Sequence, residues 1–249
     1  MLIPRQRPSV QVLQDCKIIS HRGEHDNQTI RENTIAAFAA VHEAGVWGIE
    51  LDVRWTIDLH PVVIHDADTM RVFNVDMVVA EVTLNELLKR VPEIPTLAQV
   101  VERFGGRIHL MVELKHIKIS STRHYSQRLQ TMFSALTAGV DYHFIALRPE
   151  LFECVGFAGE SAFVAVAEFN VRQFSRVALD RKLAGISGQY LLLSNRMIRR
   201  HHRSNQKVGI GFPRSRFSFY RELNREVDWI FTNHALKLRS IRQRLLRDR

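Results

Sequence analysis

The sequence predicts an α/β fold, a (β/α)8 TIM barrel with a small insertion after the second strand. Three observations carry this reading. Short apolar runs alternate with helical stretches often enough for eight βα units, and such repeats imply a parallel sheet. The chain has 249 residues, which suits one barrel of about 250 residues. Charged residues fall at or near the C-terminal ends of several runs, the face where barrel active sites stand. The expected organisation is one domain, 1–249, with the insertion at about 66–95. An open doubly wound sheet is the alternative. No Gly-x-Gly-x-x-Gly follows a strand, which counts against a dinucleotide-binding version of it.

The elements follow in order. Cys16–Ser20 is a short strand ending at His21. Asn33 is the expected N-cap of a helix running through Val41. Trp47–Arg54 is the second strand, and Pro61–Ile64 is its return or a hairpin-like extension. Residues 66–95 break the alternation and form the insertion, and Thr96 caps the next helix. Ile108–Lys115 is a strand and 123–138 a helix. Further strands are expected at 142–146, 162–166, 184–187, 207–212 and 229–232, with helical patterns between them.

Composition narrows the function classes. No apolar run approaches the ~18 residues that span a bilayer. The basic start, Met1 to Arg7, has no apolar core behind it and does not read as a secretory signal. Cys16 and Cys154 lie in apolar segments and read as reduced, buried thiols of a cytoplasmic protein. The net charge of +9 is uneven: residues 1–115 hold 12 Lys+Arg and 16 Asp+Glu, and residues 116–249 hold 23 and 10. Arg196, Arg199, Arg200 and Arg203 recur at helical spacing, as on a solvated helix face. No aromatic interleaving or nucleic-acid module accompanies them or the tail from Lys237, so nucleic acid is not an expected partner. Peripheral contact with an anionic membrane fits the basic half better. The sequence does not specify an oligomeric state.

The chemistry concentrates in the second strand, Gly48-Ile49-Glu50-Leu51-Asp52-Val53-Arg54. Alternation puts Glu50, Asp52 and Arg54 on one face. Two buried carboxylates side by side are costly unless a cation sits with them. Glu113 and Lys115 share a face of the Ile108–Lys115 strand. His21-Arg22-Gly23 and His65-Asp66 follow other apolar runs. Glu50, Asp52 and Glu113 offer hard oxygen ligands suited to Mg²⁺ or Ca²⁺. His21 and His65 can exchange protons near neutral pH. Arg22 and Lys115 are fixed cations for phosphate oxygens. Together these groups describe hydrolysis of a phosphoester.

These segments resemble the glycerophosphodiester phosphodiesterase family. The resemblance lies in His21-Arg22-Gly23, Glu32-Asn33-Thr34 with Ala37 and Phe38, and Gly48 to Val53. It continues through Thr56-Ile57-Asp58, Pro61 to Asp66, Arg71, Ile94-Pro95-Thr96-Leu97 and Val112-Glu113-Leu114-Lys115. Val227 to Asn233 resembles the family's last strand. The match is dense over 17–115 and faint over 116–226. It implies a TIM barrel and Mg²⁺ or Ca²⁺ held by Glu50, Asp52 and Glu113. It implies His21 and His65 as the acid/base pair, in either assignment. It also implies Arg22 and Lys115 on the phosphate, and Glu32 orienting His21 or Arg22 or assisting at the metal. A neighbouring glycerol hydroxyl would attack phosphorus, and water would open the cyclic phosphate. Glycerol 3-phosphate and an alcohol would result. The same chemistry would serve a lysophospholipid or another glycerophosphoryl conjugate, and a weakened, ligand-binding barrel is the non-enzymatic alternative.

Three departures bear on the alcohol side. Leu59-His60 stands where the family often has Gly. The seventh strand continues as Gly209-Ile210-Gly211-Phe212-Pro213 without the usual Trp, with Phe212 as the nearest substitute. The last strand ends Thr232-Asn233 instead of Thr-Asp. Trp47 and Trp55 are expected in the core, with a pocket role as the alternative for Trp55. His109 is read as structural and off the face of Glu113. His201 and His202 are read as surface residues without carboxylate partners. Phe217 and Phe219 line the pocket or pack a helix.

Overall fold

The computed structural model describes residues 6–115 and 122–248. The expectations that touch Met1 to Arg5, His116 and Arg249 lie outside them. Helix α1 (Val10–Asp15) leads into β1 (Lys17–His21), and α2 (Ile35–Glu43) into β2 (Gly48–Trp55). The short β3 (Pro61–Val63) turns back antiparallel on the end of β2. Helices α3 (Met70–Phe73) and α4 (Leu84–Arg90) occupy the insertion, and α5 (Leu97–Phe104) leads to β4 (His109–Leu114). Then come α6 (Thr122–Met132), β5 (Tyr142–Ala146), β6 (Phe163–Ala167) and α7 (Val171–Asp180). The chain continues through β7 (Gly185–Gln189), α8 (Asn195–Arg203), β8 (Lys207–Gly211), α9 (Arg216–Leu223), β9 (Trp229–Thr232) and α10 (Ala235–Arg247).

All strands but β3 pair in parallel, and β1 pairs with both β2 and β9, so the sheet closes into an eight-stranded barrel. The alternation of apolar runs and helices thus has the expected outcome. Residues facing outward, such as Leu51, Leu110 and Val112, join the helices in one large core. Inward residues Ile19, Met111, Ile145, Val164, Trp229 and Phe231 fill the barrel. Val62, Ile64, Val79, Leu87, Val91 and Ile94 form a separate small core under the insertion. Each such buried side chain contributes about 1.5–3 kcal/mol, enough to seat the insertion on the β2–β3 hairpin.

Local details correct the sequence reading. Thr34, not Asn33, caps α2: its hydroxyl accepts from Ala37 N–H. Asn33 stands in the left-handed region at φ 59° and turns its side chain to Asp52 instead. Thr96 caps α5 in a capping box with Gln99, as expected. The helix expected over 123–138 is α6 and ends at Met132, where Phe133 turns in against Tyr142 and Phe144. Leu59, where the resemblance expects glycine, also takes a left-handed backbone at φ 60°.

Candidate active site

Strand register assembles the site. His21 pairs with Glu50 across β1 and β2, and Asp52 pairs with Glu113 across β2 and β4. Three adjacent strand ends therefore bring an imidazole and three carboxylates to one place. Immediately after β1, Arg22 has φ 60° and Gly23 φ 81°. A Cβ on Gly23 would lie 2.7 Å from Ala37 Cβ, so glycine lets this turn press on α2. The turn is pinned by Arg22 N–H, which donates to Glu50 O at 2.9 Å.

Glu50, Asp52 and Glu113 are all buried, and each offers an oxygen within 4.8 Å of the others. Lys115 Nζ lies 2.9 Å from Asp52 Oδ1 and 2.6 Å from Glu113 Oε1. Arg22 Nε stands 3.2 Å from Asp52 Oδ2, and Nη1 donates to Glu32 Oε1 at 3.0 Å. Asn33 Nδ2 donates to Asp52 Oδ2 at 2.7 Å. Glu50 Oε1 is buried without a hydrogen-bond partner.

The charges follow from this packing. Burial, then Asp52 and Glu113, push the Glu50 carboxyl well above the usual range. Burial and Asp52 push Glu113 up to about 7. Burial also works to raise Asp52, but Lys115 and Arg22 outweigh it and hold Asp52 below the usual range. Three buried carboxylates, one with an unpartnered oxygen, exceed what two cations neutralise. This donor set fits a hard divalent cation. The phosphate-binding cations expected from sequence, Arg22 and Lys115, stand among these carboxylates and also line the cavity.

The histidines have different partners. His21 Nδ1 is 2.6 Å from Asn233 Oδ1 at the end of β9, and Phe212 meets its ring edge-on at 4.8 Å. An amide oxygen only accepts, so Nδ1 carries the proton and Nε2 keeps a free lone pair. Burial, aided by Arg22, lowers His21 to about 4. His65 Nδ1 is 2.7 Å from Asp66 Oδ1, and its carbonyl accepts from Arg54 Nε at 2.7 Å. Burial lowers His65 too, while Asp52 and Asp66 oppose the shift. Arg71 pairs with Asp66 and, at 2.6 Å, with Glu32. Glu32 thus lies between the Arg22 and Arg71 guanidinium groups. Arg54, grouped with the carboxylates by alternation, fixes the turn that carries His65.

His21, Arg22, Glu50, His65, Glu113 and Lys115 line one wall of a cavity of about 350 Å³. The opposite wall is mostly apolar, from Ile145, Leu147, Val166, Ala167, Leu192 and Phe212. Phe212 thus stands at the altered seventh-strand position. Asn233 and Asp66 had no role assigned from sequence, and Asn33 was expected only as a helix cap. Their only signal was position, beside Glu32 or past an apolar run.

Other residues depart from expectation. His109 lies four residues before Glu113 in one strand and so shares its inward face. It bonds Val140 O and His143 at the far end of the barrel. His201 is buried, 2.8 Å from Ser175 Oγ, because it shares the inner side of α8 with Ile198. His202 has a carboxylate partner, Asp228, at 2.8 Å. Trp55 packs on Tyr125, Phe219 is buried and Phe217 is exposed. Cys16 and Cys154 are free and buried. Among the described residues, no helix is long and apolar enough to cross a membrane.

Comparisons with known proteins agree with this picture. The family model described as "Glycerophosphoryl diester phosphodiesterase family" matches residues 21–237. A glycerophosphodiester phosphodiesterase of Caldanaerobacter subterraneus subsp. tengcongensis is 41% identical over 110 residues. That stretch covers 39% of this chain and 44% of the relative, less than half of either. A glycerophosphodiester phosphodiesterase structure from Thermotoga maritima superposes with a TM-score of 0.77 at 21% identity, covering 91% of this chain and 98% of that one. An Oleispira antarctica phosphodiesterase, solved with the product sn-glycerol-3-phosphate, gives 0.76 at 18% identity, covering 90% and 95%. At these identities the superpositions show a shared fold.

Proposed function

Because the chain belongs to the glycerophosphoryl diester phosphodiesterase family, we propose that it is a single-domain enzyme cleaving glycerophosphodiesters to glycerol 3-phosphate and an alcohol. One observation carries this reading: Glu50 and Glu113, two of the three clustered carboxylates, line one cavity together with both histidines, and Asp52 is buried directly behind them. Glu50, Asp52 and Glu113 would hold Mg²⁺ or Ca²⁺. A bound cation would supply charge neutralisation for the phosphodiester.

The chain's own groups carry the protons. His21 Nε2, with its lone pair free, takes the proton from the glycerol hydroxyl next to the ester. That oxygen attacks phosphorus, and the bond from phosphorus to the leaving alcohol oxygen breaks. His65, paired with the Asp66 carboxylate, gives the proton to that oxygen. Water then opens the cyclic phosphate with the two histidines in exchanged roles. Arg22 and Lys115 present positive charge to the phosphoryl oxygens, and Glu32 with Arg71 holds Arg22 and Asp66 in place. A cytoplasmic setting is part of this reading, with Cys16 and Cys154 as free, buried thiols.

The apolar wall favours a second substrate reading, a diester that keeps one acyl chain. Hydrolysis of glycerophosphocholine, glycerophosphoethanolamine and lysophosphatidylcholine would be followed with Mg²⁺, with Ca²⁺ and with chelator. Metal-dependent release of choline or ethanolamine is expected from the first two. The lyso substrate is preferred under the second reading. No turnover of any diester with either metal overturns both.

A further inference from the structure

Five exposed large apolar side chains crowd three successive connections at the cavity mouth. Phe169 follows β6, Leu191 and Leu192 follow β7, Phe212 follows β8, and Phe217 lies in the first turn of α9. Phe169 is 94% exposed and Leu191 67%. The strands pair in the order β6, β7, β8, and Tyr190 N–H donates to Gly211 O at 2.9 Å between the last two connections. Phe169, Leu192 and Phe212 line the same cavity. Single exposed apolar residues are ordinary, but a cluster around an opening marks a contact surface.

The same connections and first helical turns carry Arg172, Arg196, Arg214 and Arg216, all exposed, against one acid, Glu168. Apolar tips among guanidinium groups suit a headgroup layer: the rings enter the acyl boundary and the arginines meet phosphates. A second copy fits poorly, because an isologous contact would set this positive face against itself. The geometry points to a docking surface for an anionic lipid bilayer, built from the connections after β6, β7 and β8, which holds the cavity mouth against the headgroups. This docking needs no turnover, so failure of the hydrolysis reading would leave it standing.

Sedimentation with vesicles tests it, using phosphatidylcholine alone and an equal mixture of phosphatidylcholine and phosphatidylglycerol. The protein is expected to pellet with the mixed vesicles and stay in solution with the neutral ones. Phe169→Ser/Phe217→Ser is expected to weaken binding roughly tenfold, a change of about 1.4 kcal/mol. Arg172→Glu/Arg214→Glu should weaken it at least as much. Both double variants change exposed side chains and should melt with the parent. Arg199→Glu/Arg203→Glu, on α8 away from this rim, should bind within about twofold of the parent. The proposal is overturned if the parent ignores the mixed vesicles, or if the phenylalanine variant pellets as well as the parent. It is also overturned if light scattering finds a dimer that the phenylalanine variant abolishes.

Discussion

His21 Nδ1 and Asn233 Oδ1 stand 2.6 Å apart, joining the exits of β1 and β9 across 212 positions of sequence. The amide oxygen fixes the proton on Nδ1 and leaves Nε2 as an acceptor. Asn233→Asp replaces a neutral oxygen with a carboxylate. That favours the imidazolium, so the His21 pKa rises from about 4. More of the histidine is then protonated at a given acidic pH, and the base is lost sooner. The acid limb of the kcat/KM profile is expected to move to higher pH. Asn233→Leu leaves Nδ1 without an acceptor and should lower kcat roughly tenfold or more. Profiles measured with saturating metal check both; coincident profiles for parent and Asn233→Asp would separate Asn233 from His21's protonation.

His65 and Glu50 should fail in different ways. His65→Ala removes the proposed acid and is expected to cut turnover by about 10²–10⁴. It leaves the carboxylates in place, so metal binding should persist. Glu50→Gln removes a proposed ligand, and both metal binding and turnover should fall. The same change also relieves a buried carboxyl crowded by Asp52 and Glu113. Metal-free Glu50→Gln is therefore expected to gain roughly 1 kcal/mol, about 2–4 °C in Tm. Calorimetric titration and melting curves separate these outcomes. A variant that binds metal like the parent would remove Glu50 from the ligand set.

If Glu113 is one of the proposed ligands, metal binding should depend on pH through its carboxyl. Its carboxyl is raised to about 7 by burial and Asp52. Below that pH the folded, metal-free site holds a proton that a cation must displace. Above it Glu113 is ionised and its own proton no longer has to be displaced. At a fixed subsaturating Mg²⁺ or Ca²⁺ concentration, the metal-induced rise in Tm should grow between pH 5.5 and 8. Glu113→Gln should flatten the trend. A thermal shift equal at both ends of this range would contradict the coupling.

The barrel was legible because parallel strands buried on both faces read as continuous apolar runs. The carboxylates were legible for the converse reason, since charges inside such runs need a specific cause. What remained hidden depends on distance in sequence and on competition between neighbours. Asn33 and Thr34 both suit an N-cap, and only the need of Asp52 for a donor, 19 positions away, decides between them. Asn233 finds His21 only once β9 closes on β1. His201 was legible in principle: it follows Ile198 by three positions and so lies on the inner side of α8. The arginine-rich surroundings masked that spacing.

Gly23 tests whether the turn after β1 is a structural requirement of the site. Its φ of +81° is left-handed, and an added Cβ would meet Ala37 Cβ at 2.7 Å and Ala37 C at 2.8 Å. Part of this obstruction is helix backbone, which cannot swing aside as a side chain can. Left-handed strain of about 1–2 kcal/mol adds to overpacking of about 1–3 kcal/mol. Gly23→Ala is expected to lose roughly 2–5 kcal/mol and about 4–20 °C in Tm. Turnover should fall as well, because His21 and Arg22 precede the displaced residue. Two other glycines divide the effect. Gly106 shares the left-handed backbone at φ +69° but has its nearest neighbour at 3.8 Å, so Gly106→Ala should show the strain alone. Gly156 has nothing within 4 Å of its added Cβ, and Gly156→Ala should stay within about 0.5 kcal/mol of the parent. If Gly23→Ala melts no lower than Gly106→Ala, the contact with α2 does not hold the His21 turn.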